Sequence, residues 1–171
     1  TLMQDCGVAF DPQSEAVSRF SEAGCDVAAD GVVRFPAQLV RAALASSAKS
    51  ARLWDRAGRG CIELDDRHTW FMPGMTCIKI FDLESGEQRP SDAGDLALVT
   101  RLADALPNMD AVCVSVKNVA RSDIHGEIEE FAIMAANTAK PLEYLCEHAE
   151  SLDPVLEMAA AIRGGREALG E

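Results

Sequence analysis

Three short stretches hold the residues of this sequence best suited to chemistry, and each one follows or interrupts an apolar run. Gly74 and Met75 lie in "WFMPGMT"; Ser115, Lys117 and Asn118 close "AVCVSVKN"; Glu147 and His148 follow "PLEYLC". A lysine at such a place can form a Schiff base or steady a developing negative charge, or it can be a solvated loop residue. A histidine can hold a ligand or move protons, and can equally be a loop histidine with its needs met locally. Adjacent residues on an extended segment point to opposite faces, so at most one of Glu147 and His148 faces a ligand if the strand continues through them. Pro73-Gly74 interrupts its run, and there glycine would let a ligand or a loop approach the backbone closely. The competing reading is a β-bulge that redirects the chain. His125, in "RSDIHGE", suits a helix start as readily as a reacting group, and His68 precedes the first run and reads as structural.

Composition removes several classes of function. A net charge of −12 argues against non-specific nucleic-acid binding, which rests on neutralising phosphates. The acidity suits a cationic ligand or basic partner, or solubility alone. No apolar stretch approaches the roughly 20 residues that span a bilayer, and "TLMQDCGVAF" lacks the basic start of a secretory signal. The expectation is a cytoplasmic protein with no membrane or nucleic-acid partner. The cysteines at 6, 25, 61, 77, 113 and 146 form no C-x-x-C and have no histidine at zinc-ligand spacing. They read as reduced thiols without a metal. No Walker loop, Rossmann fingerprint, H-E-x-x-H or G-x-S-x-G occurs, so catalytic residues stay unassigned.

The elements that must position these stretches follow from pattern. Residues 1–68 read as a small α+β extension. "DPQSEAVSRFSEAG" is a helix with Pro12 in its first turn and Gly24 at its C-cap, Asp30-Gly31 is a hairpin turn, and "PAQLVRAALASSAKS" opens a second helix at Pro36. "ARLWDR" and "CIEL" are short strands about a glycine-rich turn. From Thr69 the order becomes strand, helix, strand, helix, strand, helix. "TWFMPG", "AVCVSV" and "PLEYLC" are the strands, the second buried on both faces. Ser91 or Asp92 caps the first helix, with Leu96, Val99, Leu102, Ala103 and Leu106 inward; the second turns Ile128, Phe131, Ala132 and Ala135 inward, the third Val155, Leu156, Ala159 and Ile162. Such alternation predicts a parallel α/β sheet, either doubly wound or the first three units of a TIM (β/α) barrel. In both, ligands gather beyond the carboxyl ends of the strands, and the seven candidates above are strand-end positions.

The wording of "VVRFPAQLVRAAL", of "FMPGMTCIKIFDLESGEQRPSDAGDLALVTRLADALPNMDAV", of "NTAKPL" and of "DPVLEMAAAIRGGREAL" resembles the trimethylamine methyltransferase family, in order and over essentially the whole chain. The resemblance implies a TIM barrel behind an N-terminal extension. It implies transfer of a methyl group from trimethylamine, or from a quaternary amine such as glycine betaine, to the cobalt of a separate corrinoid protein. No cofactor would be bound directly. Some members carry pyrrolysine later in the barrel, beyond the stretch matched here. Family members are longer, so residues 69–171 read as an incomplete barrel that is inactive alone and that could pair with another copy. Tyr144 and Glu147 could help to hold the amine cation. Two rival readings remain: a non-catalytic binding or assembly module that keeps the family fold, and a different α/β enzyme carrying a flavin or nicotinamide.

Overall fold

The structure, a computed structural model, describes residues 2–74 and 76–169. It is a mixed α/β chain with small sheets, divided into two compact units, Thr1–Lys49 and Ser50–Glu171. The boundary expected after residue 68 lies inside the second unit.

The first unit contains α1 (Leu2–Asp5), β1 (Val8–Ala9), α2 (Glu15–Glu22), β2 (Asp26–Val27), β3 (Val32–Arg34) and α3 (Ala37–Ser46). Its strands form an antiparallel sheet in the order β1-β3-β2. The β2–β3 turn uses Gly31 at φ +84°, where a Cβ would stand 2.3 Å from the Phe10 carbonyl oxygen. Glycine removes that clash, as the Asp30-Gly31 signal predicts. Val17, Cys25, Val33 and Phe35 form the core. The Phe10 and Phe20 rings pack against it with centroids 5.1 Å apart, an arrangement contributing about 1 kcal/mol beyond burial.

The second unit opens with the antiparallel hairpin β4 (Ala51–Trp54) and β5 (Cys61–Leu64), and a second hairpin pairs β6 (Lys79–Phe81) with β7 (Gln88–Pro90). Three helices follow: α4 (Ala93–Ala105), α5 (Ile124–Asn137) and α6 (Ala149–Arg163). The second and third strands expected here are extended segments, and the first bridge falls at Cys77, beyond "TWFMPG": isolated parallel bridges join Cys77 to Val116 and Val112 to Leu142. The segments are therefore neighbours in chain order, with α4 and α5 as the crossovers. Every residue from 111 to 116 is buried, as the unbroken apolar run predicts. Leu96, Ala103, Val112, Val114 and Met134 make the core between segments and helices. Full burial of Leu96 alone stabilises by about 2 kcal/mol.

Ahead of the break at Pro73-Gly74 the Phe71 carbonyl accepts from Asp110 N–H at 2.7 Å and from Ala111 N–H at 3.3 Å, and beyond it the Cys77 carbonyl accepts from Lys117 N–H at 2.9 Å. Between these bonds the Cys113 thiol donates to the Pro73 carbonyl at 3.0 Å. Thr76, which follows the break, sits at φ +56°, a left-handed conformation that is strained for a β-branched residue.

Some helix faces differ from expectation. Asp92 caps α4 in a reciprocal capping box with Asp95. Leu102 on α4 and Leu106 at its C-cap, Ala132 on α5, and Leu156 and Ile162 on α6 are exposed rather than inward. On α5 the physical reason is plain. The buried stripe runs through Glu127, Glu130, Phe131, Met134 and Ala135, so two carboxylates occupy helical positions that a purely apolar reading assigns to neighbours. Among the described residues, no helix is long and apolar enough to cross a membrane.

Candidate active site

Helix α5 begins where the second parallel segment ends, with Asp123 as its N-cap accepting from Gly126 N–H at 2.8 Å. Its first two turns therefore stand beside the carboxyl ends of the second and third segments. Glu127 and Glu130, three residues apart, share one face there; they are only 3% and 1% exposed. Burying two carboxylates is costly unless each is paired and hydrogen-bonded, and each of them is.

Glu130 gathers the end of the second segment. Its Oε2 lies 2.9 Å from the Lys117 ammonium, and its Oε1 accepts from Asn118 N–H at 2.7 Å. Lys117 also reaches Glu147 Oε1, 3.2 Å away at the end of the third segment. Burial pulls the Lys117 pKa down, but the bonds to Glu130 and Glu147 outweigh it and hold the ammonium above its ordinary range. A lysine held protonated is a poor Schiff-base nucleophile, so electrostatic work is the better reading of this residue. Ser91, ahead of α4, adds a tie: its hydroxyl donates to the Lys117 carbonyl at 2.8 Å.

Glu127 gathers the end of the third segment. It accepts from the Ser151 hydroxyl, from His148 Nδ1 at 2.6 Å, and from the backbone N–H of Glu147 and His148 at 3.2 and 3.3 Å. It thus caps the start of α6, whose own N-cap His148 makes no capping bond. Burial pushes the Glu127 carboxyl up, yet the Ser151 and His148 bonds outweigh burial and hold it below its ordinary range. The same bond to Glu127 raises the His148 imidazole. Its side chain is 42% exposed, and Nε2 has no partner among the described residues.

The candidates predicted from sequence fall into two groups. Lys117, Asn118, Glu147 and His148 come together around Glu127 and Glu130. Glu147 and His148 form a bend rather than a continuing strand, which is why both side chains join one cluster. Gly74 and Ser115 stand with Cys113 instead: the Gly74 carbonyl is 3.7 Å from Cys113 Sγ, and the buried Ser115 hydroxyl donates to the Cys113 carbonyl at 3.1 Å. Gly74 precedes the last paired residue, Cys77, rather than lying past the segment's end, and Met75 is outside the described residues. Tyr144, on the third segment, packs its ring at 5.3 Å against Phe131 of α5, with its hydroxyl donating to the Glu127 carbonyl. His125 is an exposed first-turn residue of α5, and His68 pairs with Asp65 and stacks on Trp70.

Sequence reasoning missed Glu127, Glu130 and Ser151. The signal was present in "GEIEEFAIMAA", where positions 127, 130, 131, 134 and 135 keep helical spacing while two of them are acidic.

Comparison with known proteins bears on what such a cluster serves. A model of the family described as trimethylamine methyltransferase (MTTB) matches residues 1–170. The chain belongs to the trimethylamine methyltransferase family. Within it, a relative named trimethylamine methyltransferase MttB, from Desulfitobacterium hafniense (strain DSM 10664 / DCB-2), is 31% identical over 174 residues. That alignment takes in 99% of this chain and 34% of the relative. The chain therefore spans about a third of the length of the curated relative it matches, and the family's enzymes are methyltransferases.

Proposed function

We propose that these residues form the N-terminal part of an enzyme that moves a methyl group from trimethylamine, or from a quaternary amine of the glycine betaine kind, to a corrinoid protein. The observation that carries this reading is the family match across residues 1–170. Methyl transfer comes with the family; the amine and the corrinoid partner are extensions of it. On this reading residues 69–171 are the first three units of a TIM barrel and residues 1–68 its extension. Two parallel bridges in chain order, each spanned by a helix, support the barrel. Three units cannot close a barrel, so the residues described here are inactive alone, and a second copy could cover the open edge. The protein works in the cytoplasm.

The substrate end is formed from Lys117, Asn118, Glu147 and His148, with Glu127 and Glu130 behind them. No cofactor is bound directly; the corrinoid arrives on its partner as the methyl acceptor. The protein's task is to hold an ammonium group, exclude water and present one methyl carbon in line with the acceptor. Carboxylates suit the first of these tasks, as aromatic faces do elsewhere, and alignment supplies much of the rate.

The test is methyl transfer by the complete polypeptide, as its gene encodes it, from trimethylamine and from glycine betaine to a reduced corrinoid protein. It is followed by the absorbance change on corrinoid methylation. Methylation that depends on the amine is expected. Amine binding without any methylation would replace this reading with that of a binding module.

A further inference from the structure

Strand β4 and the turn after it stand over the finishes of α5 and α6, and a cavity of about 230 Å³ lies between them. Trp54, Phe131, Leu142 and Ile162 give it apolar walls. Its charged lining is one-sided: Arg52, Arg56, Lys140 and Arg163 stand against a single acid, Asp55. In a chain whose net charge is −12, four cations gathered on one cavity need an explanation.

None of the four is neutralised by a carboxylate in contact. Asp55 turns its carboxylate back on its own turn, accepting from Arg59 N–H at 3.0 Å and from Gly60 N–H at 2.8 Å. Arg56 donates to the Ala135 carbonyl, and Lys140 to those of Ala103 and Leu106, with Asp104 acting on Lys140 through space. Arg163 donates to the Ala168 carbonyl at 3.0 Å and to the Asp55 carbonyl at 3.4 Å. It lies against Gly58, where any Cβ would collide with its guanidinium. Carbonyls satisfy these donors but leave the charges standing. Arg52 goes further. Among the described residues its side chain makes no hydrogen bond or ion pair, although Glu63 is its partner across the hairpin. A solvated arginine needs no partner. Beside three other cations on an apolar cavity, however, it makes the interior positive, and low-dielectric walls focus that field.

We infer that this cavity binds a small organic carboxylate with an apolar body, its head on the Arg52 guanidinium and its body against the Trp54 and Phe131 walls. Three observations fix the class of ligand. The charge of the lining calls for an anion. Only Arg52 has its whole fork of donors unspent, which suits one carboxylate held through two N–H groups. The volume admits about eight water-sized atoms, at about 30 Å³ each, which is the size of a six-carbon acid. The inference is independent of the methyl-transfer reading, because the cavity stands at the finish of α5 and Lys117 and His148 stand at its start.

The test is titration calorimetry of the complete polypeptide with hexanoate, hexylammonium, hexanol and inorganic phosphate at one ionic strength. Hexanoate is expected to bind at one site with a Kd below about 1 mM, and the other three at least about 10-fold more weakly. Arg52→Gln, which breaks no bond of the fold, should weaken hexanoate about 10-fold, as expected for a lost charge-assisted pair. Arg52→Glu should abolish the binding. Arg59→Gln, on the adjacent turn and outside the cavity, should leave it unchanged. Absence of hexanoate binding would overturn the inference. So would hexanol binding as tightly as hexanoate, which makes the cavity an apolar hole, or phosphate doing so, which leaves the apolar walls without a part. Equal losses in Arg52→Gln and Arg59→Gln, or no loss in either Arg52 variant, would overturn it as well.

Discussion

The two ends of α5 spend their polar groups in opposite ways. At its start, beside the carboxyl ends of the parallel segments, buried acids hold groups that remain partly open to solvent: Glu130 holds Lys117, and Glu127 holds His148. At its finish, polar groups close off backbone. The Arg56 guanidinium donates to the Ala135 carbonyl at 2.5 Å, and the Lys140 ammonium donates to the Ala103 and Leu106 carbonyls at 2.8 and 2.7 Å. Asp104 accepts from the Thr138 hydroxyl at 2.6 Å and from Ala139 N–H at 2.9 Å. Cations on carbonyls at helix C-termini satisfy orphan acceptors and oppose the helix dipole. The finish of α5 is thus spent on stability, whereas its start keeps an imidazole nitrogen and an ammonium available. In β/α folds that division is general, with chemistry beyond the carboxyl ends of the strands and stability at the other end.

Breaking one group at each end should sharpen the contrast. Glu130→Ala has the largest expected effect, because it leaves Lys117 with Glu147 alone and Asn118 N–H unpaired. Denaturant unfolding should show a loss of about 3 kcal/mol, within the range for breaking a buried pair. Asp104→Asn at the opposite end should cost about 2 kcal/mol, and its pH dependence is informative. The Thr138 and Ala139 bonds, with Lys140 near, hold the Asp104 carboxyl below its ordinary range. Its contribution is therefore present above the unfolded value of about 3.9 and lost as pH falls through the folded one. His148 runs the other way. Its contribution is complete below the unfolded value of about 6.5 and lost as pH rises through the raised folded one. Measured by unfolding across pH, Asp104→Asn should lose less stability toward acid than the wild type does, and His148→Asn less from neutral to alkaline pH.

Lys140→Ala should cost about 1 kcal/mol, as two carbonyls of α4 lose their cation, and should leave methyl transfer by the complete polypeptide unchanged. Thr76→Gly has the smallest expected effect, a gain of about 0.5 kcal/mol in thermal unfolding. Relief of the left-handed strain slightly exceeds the chain entropy that glycine adds.

Much of the scaffold was legible because local chemistry dictates it. Asp30-Gly31 and the glycine-rich turn between "ARLWDR" and "CIEL" make hairpins, Asp92 starts α4, and the run from 111 to 116 is buried throughout. The parallel order followed from alternation alone. Less legible was anything set by partners distant in the chain. Phe71, Thr76 and Cys77 find their backbone partners some forty residues on, and no local pattern reveals those partners. Of the cluster, Lys117, Asn118, Glu147 and His148 could be chosen as strand-end residues. Glu127 and Glu130 were hidden because an acidic residue is ordinarily read as solvent-facing. Only the ammonium, imidazole and N–H groups brought to them by folding make their burial affordable.

The most direct measurement is to follow the backbone and side-chain NMR signals of this protein while trimethylamine hydrochloride is added at neutral pH. If the start of α5 is the ligand end, the signals of Lys117, Asn118, Glu147 and the His148 ring should move together and saturate, while those of Arg56, Asp104 and Lys140 stay still. Saturable shifts at Arg56, Asp104 and Lys140 with none at His148 would contradict the account.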